Sequence, residues 1–374
     1  MKMRIAVAAC LVLIAGLPVF PAERIGEAVY LEGDVTVVRD GEELDASDVQ
    51  IGMDIANFDL LKTGPRALAE IKITSSKAPA MTIKVSPNTQ FSFELSKMGS
   101  KTQSSIGLLT GSISLKVSKL TGSHSVNVKT EAVAMGVRGT QFTVEAPSTG
   151  DILVTCDEGE VVCTEDDGEE LAITPGKAVE KKEGEKFRAI PVAVSDVETF
   201  RKNWSMERIS SLKANALRAI QNFAKQYIAL SEELNTNFQL LMKKQSILNK
   251  WAQEDKTGKI GGKMDVMKEK KEIVGILFKL RKTLFRFERI YYRLVELQEY
   301  YNQGYGKGTI QPGMTTDQFF KRMDGERKDL EKKMAKIRQV ARLYAERNEG
   351  KTPSGAFDDT EIQEEEDLFD DSDF

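Results

Sequence analysis

Side chains that commonly perform catalysis or bind metal ions are scarce in this sequence. Its 374 residues include a single histidine, His124, and three cysteines. One histidine excludes metal sites built from several histidines and argues against a Ser-His-Asp triad. Cys156 and Cys163 do not have the spacing of a CxxC redox motif, and residues 258–263 lack the spacing of a phosphate-binding loop. We therefore expect no enzymatic activity, no bound metal and no cofactor.

Long apolar runs are also lacking, apart from one near the amino terminus. Residues 5–20 are apolar and follow a short basic segment, but a membrane span needs about 20 residues. This pattern predicts a secretory signal peptide over residues 1–22, cleaved near Ala22, and an exported protein that is periplasmic or associated with the cell envelope. Phe20 fits the cleavage rule poorly, so an amino-terminal membrane anchor is an alternative. Lipidation at Cys10 is another, because residues 7–10 resemble a lipobox.

Charge is distributed in three blocks, although the formal net charge is only −4. Residues 23–198 hold 18 Lys or Arg and 29 Asp or Glu, whereas residues 199–350 hold 32 and 18. Residues 351–374 hold one lysine and ten acids. Such asymmetry predicts two folded parts and a tail. We expect the acidic tail to be disordered, because it repels itself and has little apolar surface to bury.

The acidic block, over residues 23–192, has the pattern of a β-domain. Apolar and polar residues alternate in short runs such as residues 67–73 and 112–117. Period-two alternation bounded by Gly, Pro, Asn and Ser is the signal of strands with one buried face. The runs recur without an intervening helical pattern, which favours an antiparallel β-sandwich or a roll-like stack of hairpins.

Short motifs recur in a fixed order along this β-rich block. The residues that define them are Gly33, Thr63, Gly64, Pro87, Asn88, Gly111, Arg138, Gly139, Thr140, Phe142, Gly159 and Gly176. Most of them have the chemistry of turns, because Gly permits positive φ, Pro presets φ and Asn tolerates the left-handed region. Residues 138–140 predict either a sheet corner or, through Arg138, a site for an anionic ligand.

This ordered set resembles the FecR domain, the extracytoplasmic module named after the ferric-citrate sensing regulator. The resemblance implies an extracytoplasmic β-fold and a role in envelope interaction or sensing. The FecR-type transducer also has a cytoplasmic segment that handles a sigma factor and a transmembrane helix. Here only four residues precede the apolar run, so we do not expect sigma-factor control by the usual route.

Cys156 and Cys163 flank residues 157–160, which predict a tight hairpin. In an oxidising compartment the two cysteines are candidates for a cross-strand disulfide. A turn centred on Glu158 and Gly159 would place them diagonally, whereas a turn at Gly159 and Glu160 would place them opposite each other. The sequence leaves the two registers open.

The basic block, over residues 195–350, has helical periodicity. Apolar residues recur at steps of three and four, which indicates helices over about 195–254, 264–302 and 316–349. Ser195 and Glu198 have the form of a capping box at the start of the first helix. Glycine-rich connections separate the helices, so the pattern predicts a coiled coil or an antiparallel hairpin bundle.

The excess of Lys and Arg lies between the apolar positions of these helices. The simplest interpretation is solvated helix faces; the alternative is a surface for anionic wall polymer or lipid head groups. Nucleic acid is not expected as a partner in an envelope compartment. The sequence therefore predicts a non-enzymatic envelope protein whose β-domain binds a protein or ligand and whose helices act as a spacer or self-association arm. A sensory adaptor in FecR-type iron-uptake regulation is the alternative.

Overall fold

The computed structural model describes residues 24–98, 101–118, 124–137, 139–165 and 168–353. The predicted signal peptide, Cys10, Arg138 and the acidic tail beyond residue 353 lie outside the described residues. Strands occupy the first part of the described chain and helices the second. The predicted β + α class, with a mostly antiparallel β-domain before a long helical region, is confirmed.

Nine strands form the first half of the β-domain within the described residues. They are β1 (Arg24–Glu32), β2 (Val35–Arg39), β3 (Glu42–Glu43), β4 (Asp54–Ala56), β5 (Leu60–Thr63), β6 (Leu68–Ile73), β7 (Met81–Val85), β8 (Gln90–Met98) and β9 (Lys101–Val117). The second half continues with β10 (His124–Lys129), β11 (Val133–Val137), β12 (Gln141–Ala146), β13 (Ile152–Glu158), β14 (Val161–Glu165), β15 (Glu170–Ile173), β16 (Lys177–Lys181) and β17 (Arg188–Pro191).

These strands form two hydrogen-bonded layers that share the long strand β9. Sheet A has the order β4-β1-β6-β7-β9-β12-β13-β16-β17. Sheet B has the order β3-β2-β5-β8-β9-β10-β11-β14-β15. Neighbouring strands are antiparallel except β9 and β10, which are parallel. The inward side chains of both sheets pack in one apolar core, so the β-domain is a sandwich.

The hairpins are divided between the two sheets. The pairs β6–β7, β12–β13 and β16–β17 belong to sheet A, and β8–β9, β10–β11 and β14–β15 belong to sheet B. The chain therefore changes sheets repeatedly, both between hairpins and within β9. This is the roll-like stack of hairpins that the strand spacing predicts.

Gly111 is where β9 passes from sheet B to sheet A. Thr110 pairs with β8 of sheet B, whereas Gly111 pairs with Ala146 of sheet A. Its φ is +98°, and a Cβ at this position would lie 2.3 Å from Thr89 Oγ1 and 2.5 Å from Thr89 Cα. Only glycine fits, because the backbone conformation and the close approach both exclude a side chain.

Five helices follow the β-domain in the described residues. They are α1 (Val197–Ala214), α2 (Ala216–Met242), α3 (Gln245–Thr257), α4 (Lys263–Asn302) and α5 (Thr316–Arg347), with a short hairpin of β18 (Thr309–Gln311) and β19 (Met314–Thr315) before α5. None of the helices in the described part of the chain combines the length and apolar content needed to cross a bilayer.

The segment predicted as one helix over residues 195–254 is divided into α1, α2 and α3. Asn215 leaves helical geometry at φ −110° and ψ 18°, and Lys244 does so at φ −98° and ψ 23°. Leu241 and Leu248, on either side of the second break, are both buried in the helical core. Apolar spacing alone does not reveal these breaks, because the buried positions continue on both sides of them.

The capping box predicted at Ser195 and Glu198 is not formed. Residues Val194–Asp196 form a 3-10 turn, and α1 follows with Asp196 at its N-cap and no side-chain cap. A capping box occurs instead at the start of α5, where Thr315 accepts from the N–H of Gln318 at 3.3 Å and the Gln318 side chain accepts from the N–H of Thr315 at 2.9 Å. The α5 cap satisfies backbone donors at the helix start.

The helices form a compact antiparallel bundle that packs against the sandwich. Helices α2, α3, α4 and α5 share one apolar core, and that core also contains Phe58, Leu60 and Leu109 of the β-domain. The first part of helix α1 packs on the outer face of sheet A, with Trp204 against Leu153 and Ala178, whereas Leu212 near its end joins the shared core. The helical region thus touches the sandwich on both outer faces.

Replacing Gly111 by alanine tests the crossing between the sheets. We expect Gly111→Ala to lower the free energy of unfolding by about 3 kcal/mol or more, because it adds a clash with Thr89 to the strain of positive φ. Gly52→Ala is the matched control, since Gly52 has φ +88° with nothing within 4 Å of its Cβ position. Gly52→Ala should lower the free energy of unfolding by about 1 kcal/mol, the cost of positive φ alone. Equal losses in urea unfolding would contradict the described crossing.

Candidate functional site

Motif residues in the first half of the β-domain lie where the chain crosses between sheets. Gly33, at φ +75°, connects β1 to β2, and Gly64 lies between β5 and β6. Pro87 and Asn88 lie between β7 and β8, with Asn88 at φ +52°. Glycine and asparagine adopt this left-handed region at low cost. The structure therefore uses these positions for changes of direction.

Thr63 joins neighbouring crossings by hydrogen bonds. Its hydroxyl donates to the carbonyl oxygen of Ser86 at 2.7 Å and accepts from the N–H of Thr89 at 2.9 Å. The hydroxyl of Thr89 in turn accepts from the N–H of Ser112 at 3.0 Å. These polar atoms satisfy backbone groups inside the fold, so they stabilise the stack of crossings.

The remaining described motif positions are Gly139, Thr140, Phe142, Gly159 and Gly176. Gly139 (φ +67°) connects β11 to β12, and Gly159 (φ +83°) connects β13 to β14. A Cβ on Gly159 would lie 2.8 Å from Thr140 Cγ2 and 2.9 Å from the Gly139 carbonyl oxygen. The two crossings are therefore in contact with each other. Arg138 lies outside the described residues, and its role as an anion ligand stays a prediction.

Cys156 and Cys163 do not lie on a hairpin, contrary to the sequence interpretation. Strand β13 pairs with β12 and β16 in sheet A, whereas β14 pairs with β11 and β15 in sheet B. Gly159 carries the chain between the sheets, so hairpin register does not govern the distance between the cysteines. Both thiols are free and buried, and the disulfide stays a prediction.

Burial controls the chemistry of the two thiols. Desolvation raises the pKa of Cys156 to about 11 and the pKa of Cys163 to about 12. The neutral thiol is therefore favoured at physiological pH, and the thiolate is the reactive form. The two cysteines behave as small apolar core residues in the sandwich.

A buried ion pair joins α4 to sheet B. Arg281 Nη2 lies 2.6 Å from Glu94 Oε2, and the two side chains are only 6% and 12% exposed. Arg281 also donates to the carbonyl oxygen of Pro353 at 2.7 Å, and the Thr352 hydroxyl donates to Glu94 at 2.7 Å. Both charged groups are thus hydrogen-bonded as well as paired, which buried charges require. The chain after α5 is held in the same cluster.

A second ion pair joins α4 to the turn between β10 and β11. Glu131 lies 2.6 Å from Arg293 and 3.6 Å from Arg289. Burial opposes ionisation of Glu131, but the two guanidinium groups hold the pKa of this carboxyl below its ordinary value. The carboxylate is therefore charged at neutral pH and holds α4 to the sandwich.

Helix α5 is joined to the sandwich and to α3 through one arginine. Arg342 lies 2.5 Å from Asp40, in the turn between β2 and β3, and 2.7 Å from Asp255 of α3. Its side chain is buried. A single guanidinium group thus links three elements, and its planar donors suit two carboxylates at once.

The outer face of sheet A has a corresponding cluster with α1. Trp204 Nε1 donates to Glu180 at 2.7 Å, and Arg208 lies 3.4 Å from Glu180 and 3.3 Å from Asp151. Burial opposes ionisation of Glu180, but the hydrogen bond from Trp204 and the nearby Arg188 hold the pKa of this carboxyl below its ordinary value. These contacts fix α1 on β13 and β16.

The acidic and basic blocks of the sequence meet in these clusters. Arginines of α1, α4 and α5 pair with carboxylates of the sandwich, so part of the basic surplus of the helices is neutralised inside the protein. Sequence reasoning missed this arrangement, although the opposite charge of the two blocks was a signal for it. Electrostatic complementarity of this kind favours one docking orientation.

Part of sheet B stays open to solvent and carries little charge. Asn127, Gly136, Val162 and Ala172 lie side by side across β10, β11, β14 and β15. They point outward, because their strand neighbours fill the core, and each is at least partly exposed. We call this row the open face. A Cβ on Gly136 would meet only Asn127 Oδ1, at 3.9 Å, so the face is smooth there.

The open part of sheet A has a different character. Glu70, Lys72 and Lys84 project outward from β6 and β7, where Lys84 lies 3.9 Å from Glu70. Thr82 lies between them and is partly exposed. This surface is charged, as an ordinary solvated sheet face is.

A cleft of about 520 Å³ lies where the sandwich meets the end of α5. Its walls include Asn57, Lys97 and Thr102 from the sandwich and Glu346 and Glu349 from the helical region. The cleft is bounded by both parts of the protein. A molecule bound there would touch the sandwich and the helices at once.

No grouping suited to metal binding or to acid–base catalysis by histidine was found among the described residues. Within the described ranges, no set of three or more His, Cys, Asp or Glu side chains is placed to hold a metal ion. His124 stands at the start of β10. Glu94 and Glu131 each pair with arginine.

One family model matches part of the chain. Residues 59–162 match the family model described as FecR protein, a segment that runs from the start of β5 into β14. The motif positions from Thr63 to Gly159 lie inside this segment, and Gly33 and Gly176 lie outside it. No curated protein matches the chain.

Two solved structures are similar to part of the chain. Both are crystal structures of a "putative anti-sigma factor" from Parabacteroides distasonis ATCC 8503. One, at 2.50 Å resolution, has 11% identity and a TM-score of 0.31 over 37% of this chain and 62% of that chain. The other, at 1.65 Å, has 12% identity and a TM-score of 0.31 over 38% and 63%. The match therefore spans a little less than two thirds of each solved chain.

Removing one partner of the Glu94–Arg281 pair should be costly. We expect Arg281→Met to lower the free energy of unfolding by about 3–5 kcal/mol, because it leaves the Glu94 carboxylate buried without a cation. The double variant Glu94→Leu with Arg281→Met should recover most of this loss. Urea unfolding followed by circular dichroism measures both.

Arg322→Met is the matched control for Arg281→Met. Arg322 pairs with Glu326 at 2.8 Å on the surface, where the two side chains are 43% and 38% exposed. Arg322→Met should lower the free energy of unfolding by less than about 1 kcal/mol, because an exposed ion pair contributes little. If the double variant is no more stable than Arg281→Met alone, an unpaired buried charge is not the cause.

Thiol alkylation tests the burial of the two cysteines. At pH 8 and low reagent, Cys156 should react about 100-fold and Cys163 about 1000-fold more slowly in the folded protein than in urea, because burial raises their pKa to about 11 and about 12 and reduces the thiolate fraction by about those factors. Mass spectrometry after timed iodoacetamide treatment gives both rates. Equal rates in the two states would contradict the buried positions of these cysteines.

Proposed function

We propose, from the FecR-type β-domain at residues 59–162, that this chain is a non-enzymatic regulatory protein that acts by binding another protein. The open face of sheet B is the surface that we assign to the partner. The proposal places the protein outside the cytoplasm, in the cell envelope, which the apolar residues 5–20 support.

The distribution of covered and uncovered sheet surface is the main support. On sheet B, Leu60, Leu109 and Glu94 contact the helical bundle. On sheet A, Leu153 and Glu180 contact α1. The second half of sheet B retains a partly exposed surface, of which Asn127, Gly136 and Val162 lie inside the FecR segment and Ala172 lies beyond it. A partner that recognises the sandwich therefore has this face available.

The composition of the open face carries the proposal. Its central row consists of Asn127, Gly136, Val162 and Ala172, without a charged side chain, in a protein in which 29% of residues are charged. The centres of protein–protein interfaces are depleted in charged residues. The adjacent row has charges only at its ends, Lys129 and Glu170. The open face thus has an uncharged centre, and its charged residues lie at the rim.

In this proposal the helical region holds the sandwich rather than extending from it as a free arm. The ion pairs of Arg281, Arg293 and Arg342 support a helical region that is docked in a fixed position on the β-domain. The docked helices cover the half of sheet B near Leu60 and Leu109, which leaves the other half for the partner. Self-association through the helices would require apolar helix surface, but much of it is buried in the shared core.

A sensory adaptor is the second candidate function, and the cleft of about 520 Å³ favours it. A ligand between Lys97 of the sandwich and Glu346 of α5 would stabilise one arrangement of the two parts over another. Differential affinity of this kind is what couples a ligand to a conformational change. Binding of the protein partner would then depend on the ligand.

Single charges on the open face should weaken partner binding without unfolding the protein. Val162→Glu and Gly136→Glu place a carboxylate at the centre of the row, where it must be desolvated on binding. We expect each to reduce binding at least about tenfold. The measurement is cross-linking in intact cells, identification of the partner by mass spectrometry, and titration of the purified partner with the variants.

Thr82→Glu is the matched control for these variants. Thr82 has the same partly exposed position at the centre of a strand, on the open part of sheet A. It should bind the partner like the unaltered protein, with circular dichroism confirming the fold of all three. Unchanged binding by Val162→Glu and Gly136→Glu, or equal loss with Thr82→Glu, would refute the assigned surface.

A further inference from the structure

The connection between α3 and α4 exposes apolar side chains at one end of the helical bundle. Ile260 is 52% exposed, Met264 69% and Met267 39%. Met264 and Met267 are three residues apart in the first turns of α4 and so share one face of the helix, and Ile260 lies in the connection just before α4. Most large apolar side chains of the helices are buried in the shared core. These three are exposed instead and form an unpartnered apolar surface. We call residues 256–271 the bundle tip.

The bundle tip is held firmly against the rest of the helical region. Glu269 accepts from Trp251 Nε1 at 2.8 Å and from Lys250 at 2.6 Å. Val266 and Ile273 are buried on the inner side of α4. The exposed apolar residues are therefore presented by an anchored structure, and their exposure follows from the fold.

Lysines surround the exposed apolar residues. They are Lys256, Lys259, Lys263, Lys268 and Lys271, and all five are exposed. Within the described chain none of them has a carboxylate within ion-pair distance. The tip thus combines uncompensated positive charge with exposed apolar surface.

Most acids near the tip are engaged elsewhere. Glu254 pairs with Arg347 at 2.8 Å, Asp255 with Arg342 at 2.7 Å, and Glu272 with Lys244 at 2.7 Å. Glu269 is bound to Trp251 and Lys250, as described above. Asp265 is the remaining acid among residues 256–271. The internal pairs therefore leave the lysines to dominate the field around the tip.

We infer that the bundle tip docks on an anionic phospholipid surface. The lysine ammonium groups would contact lipid phosphates, and Ile260, Met264 and Met267 would enter the boundary between head groups and acyl chains. Polar faces rich in Lys beside exposed apolar residues are the arrangement of interfacial membrane binding. A protein partner fits less well, because lysine is depleted at protein interfaces. The inference is independent of the open face.

Vesicle co-sedimentation of the full chain tests the inference. The probes are vesicles of 30% phosphatidylglycerol in phosphatidylcholine and vesicles of pure phosphatidylcholine. We expect binding to the anionic vesicles at low ionic strength, weakening as salt rises, and little binding to the neutral ones. Absence of binding to the anionic vesicles at low ionic strength would overturn the inference.

Two double variants separate the contributions of charge and apolar surface. Lys259→Gln with Lys263→Gln should weaken partitioning about 25-fold, since each lysine near an anionic surface contributes about fivefold. Ile260→Ser with Met264→Ser should weaken it about tenfold or more, through lost apolar burial. Both pairs are exposed, so neither should change the unfolding midpoint greatly.

Met206→Ser with Leu240→Ser is the matched control. These residues are 52% and 40% exposed on α1 and α2, outside the bundle tip. The control should bind vesicles like the unaltered chain. If it loses as much binding as the Ile260 and Met264 variant, or if that variant binds normally, the tip is not the lipid-binding surface. Val162→Glu should leave vesicle binding unchanged, which separates this inference from the proposed function.

Discussion

The pairing of helix arginines with carboxylates of the β-sandwich is the interaction on which the arrangement of this protein depends. Arg281 with Glu94, Arg293 with Glu131, and Arg342 with Asp40 each join a helix to a different part of the sandwich. The three guanidinium groups are buried, and a buried ion that loses its partner is left uncompensated. The pairs therefore determine where the helices lie, while the shared apolar core supplies most of the burial.

This constraint also decides which surfaces remain for binding. Docking of α4 and α5 covers the part of sheet B near Leu60 and Leu109, and α1 covers the part of sheet A near Leu153. The half of sheet B around Gly136 and Val162 stays open. The cleft beside α5 is connected to this open half within sheet B itself, because Thr102 of the cleft pairs with His124 of β10, the strand that carries Asn127.

The motif residues determine the path of the chain within the sandwich. Gly33, Gly111 and Gly159 occupy crossings at which the chain changes sheets, each with positive φ. Thr63 satisfies the backbone of neighbouring crossings. These residues explain how a chain of short hairpins is arranged in two layers. These motif residues are therefore structural. We expect a binding surface among outward-facing residues that do not belong to the motif.

The amino-acid sequence by itself determined the secondary structure class and the order of the parts. Alternation of apolar residues gave the strands, and steps of three and four gave the helices, because both patterns depend only on local geometry. Turn residues such as Gly64 and Asn88 were recognisable for the same reason. The FecR resemblance extended this local information to a sandwich of stacked hairpins.

Only the tertiary structure decided how distant segments meet. Glu94 and Arg281 are far apart in sequence, and neither has a local pattern that marks it for burial. Cys156 and Cys163 illustrate the same limit, because a tight turn and a sheet crossing both require glycine, and only the pairing of β13 and β14 with other strands distinguishes them. The breaks at Asn215 and Lys244 likewise became visible only in the structure. Local patterns fix elements, whereas long-range complementarity of shape and charge fixes their arrangement.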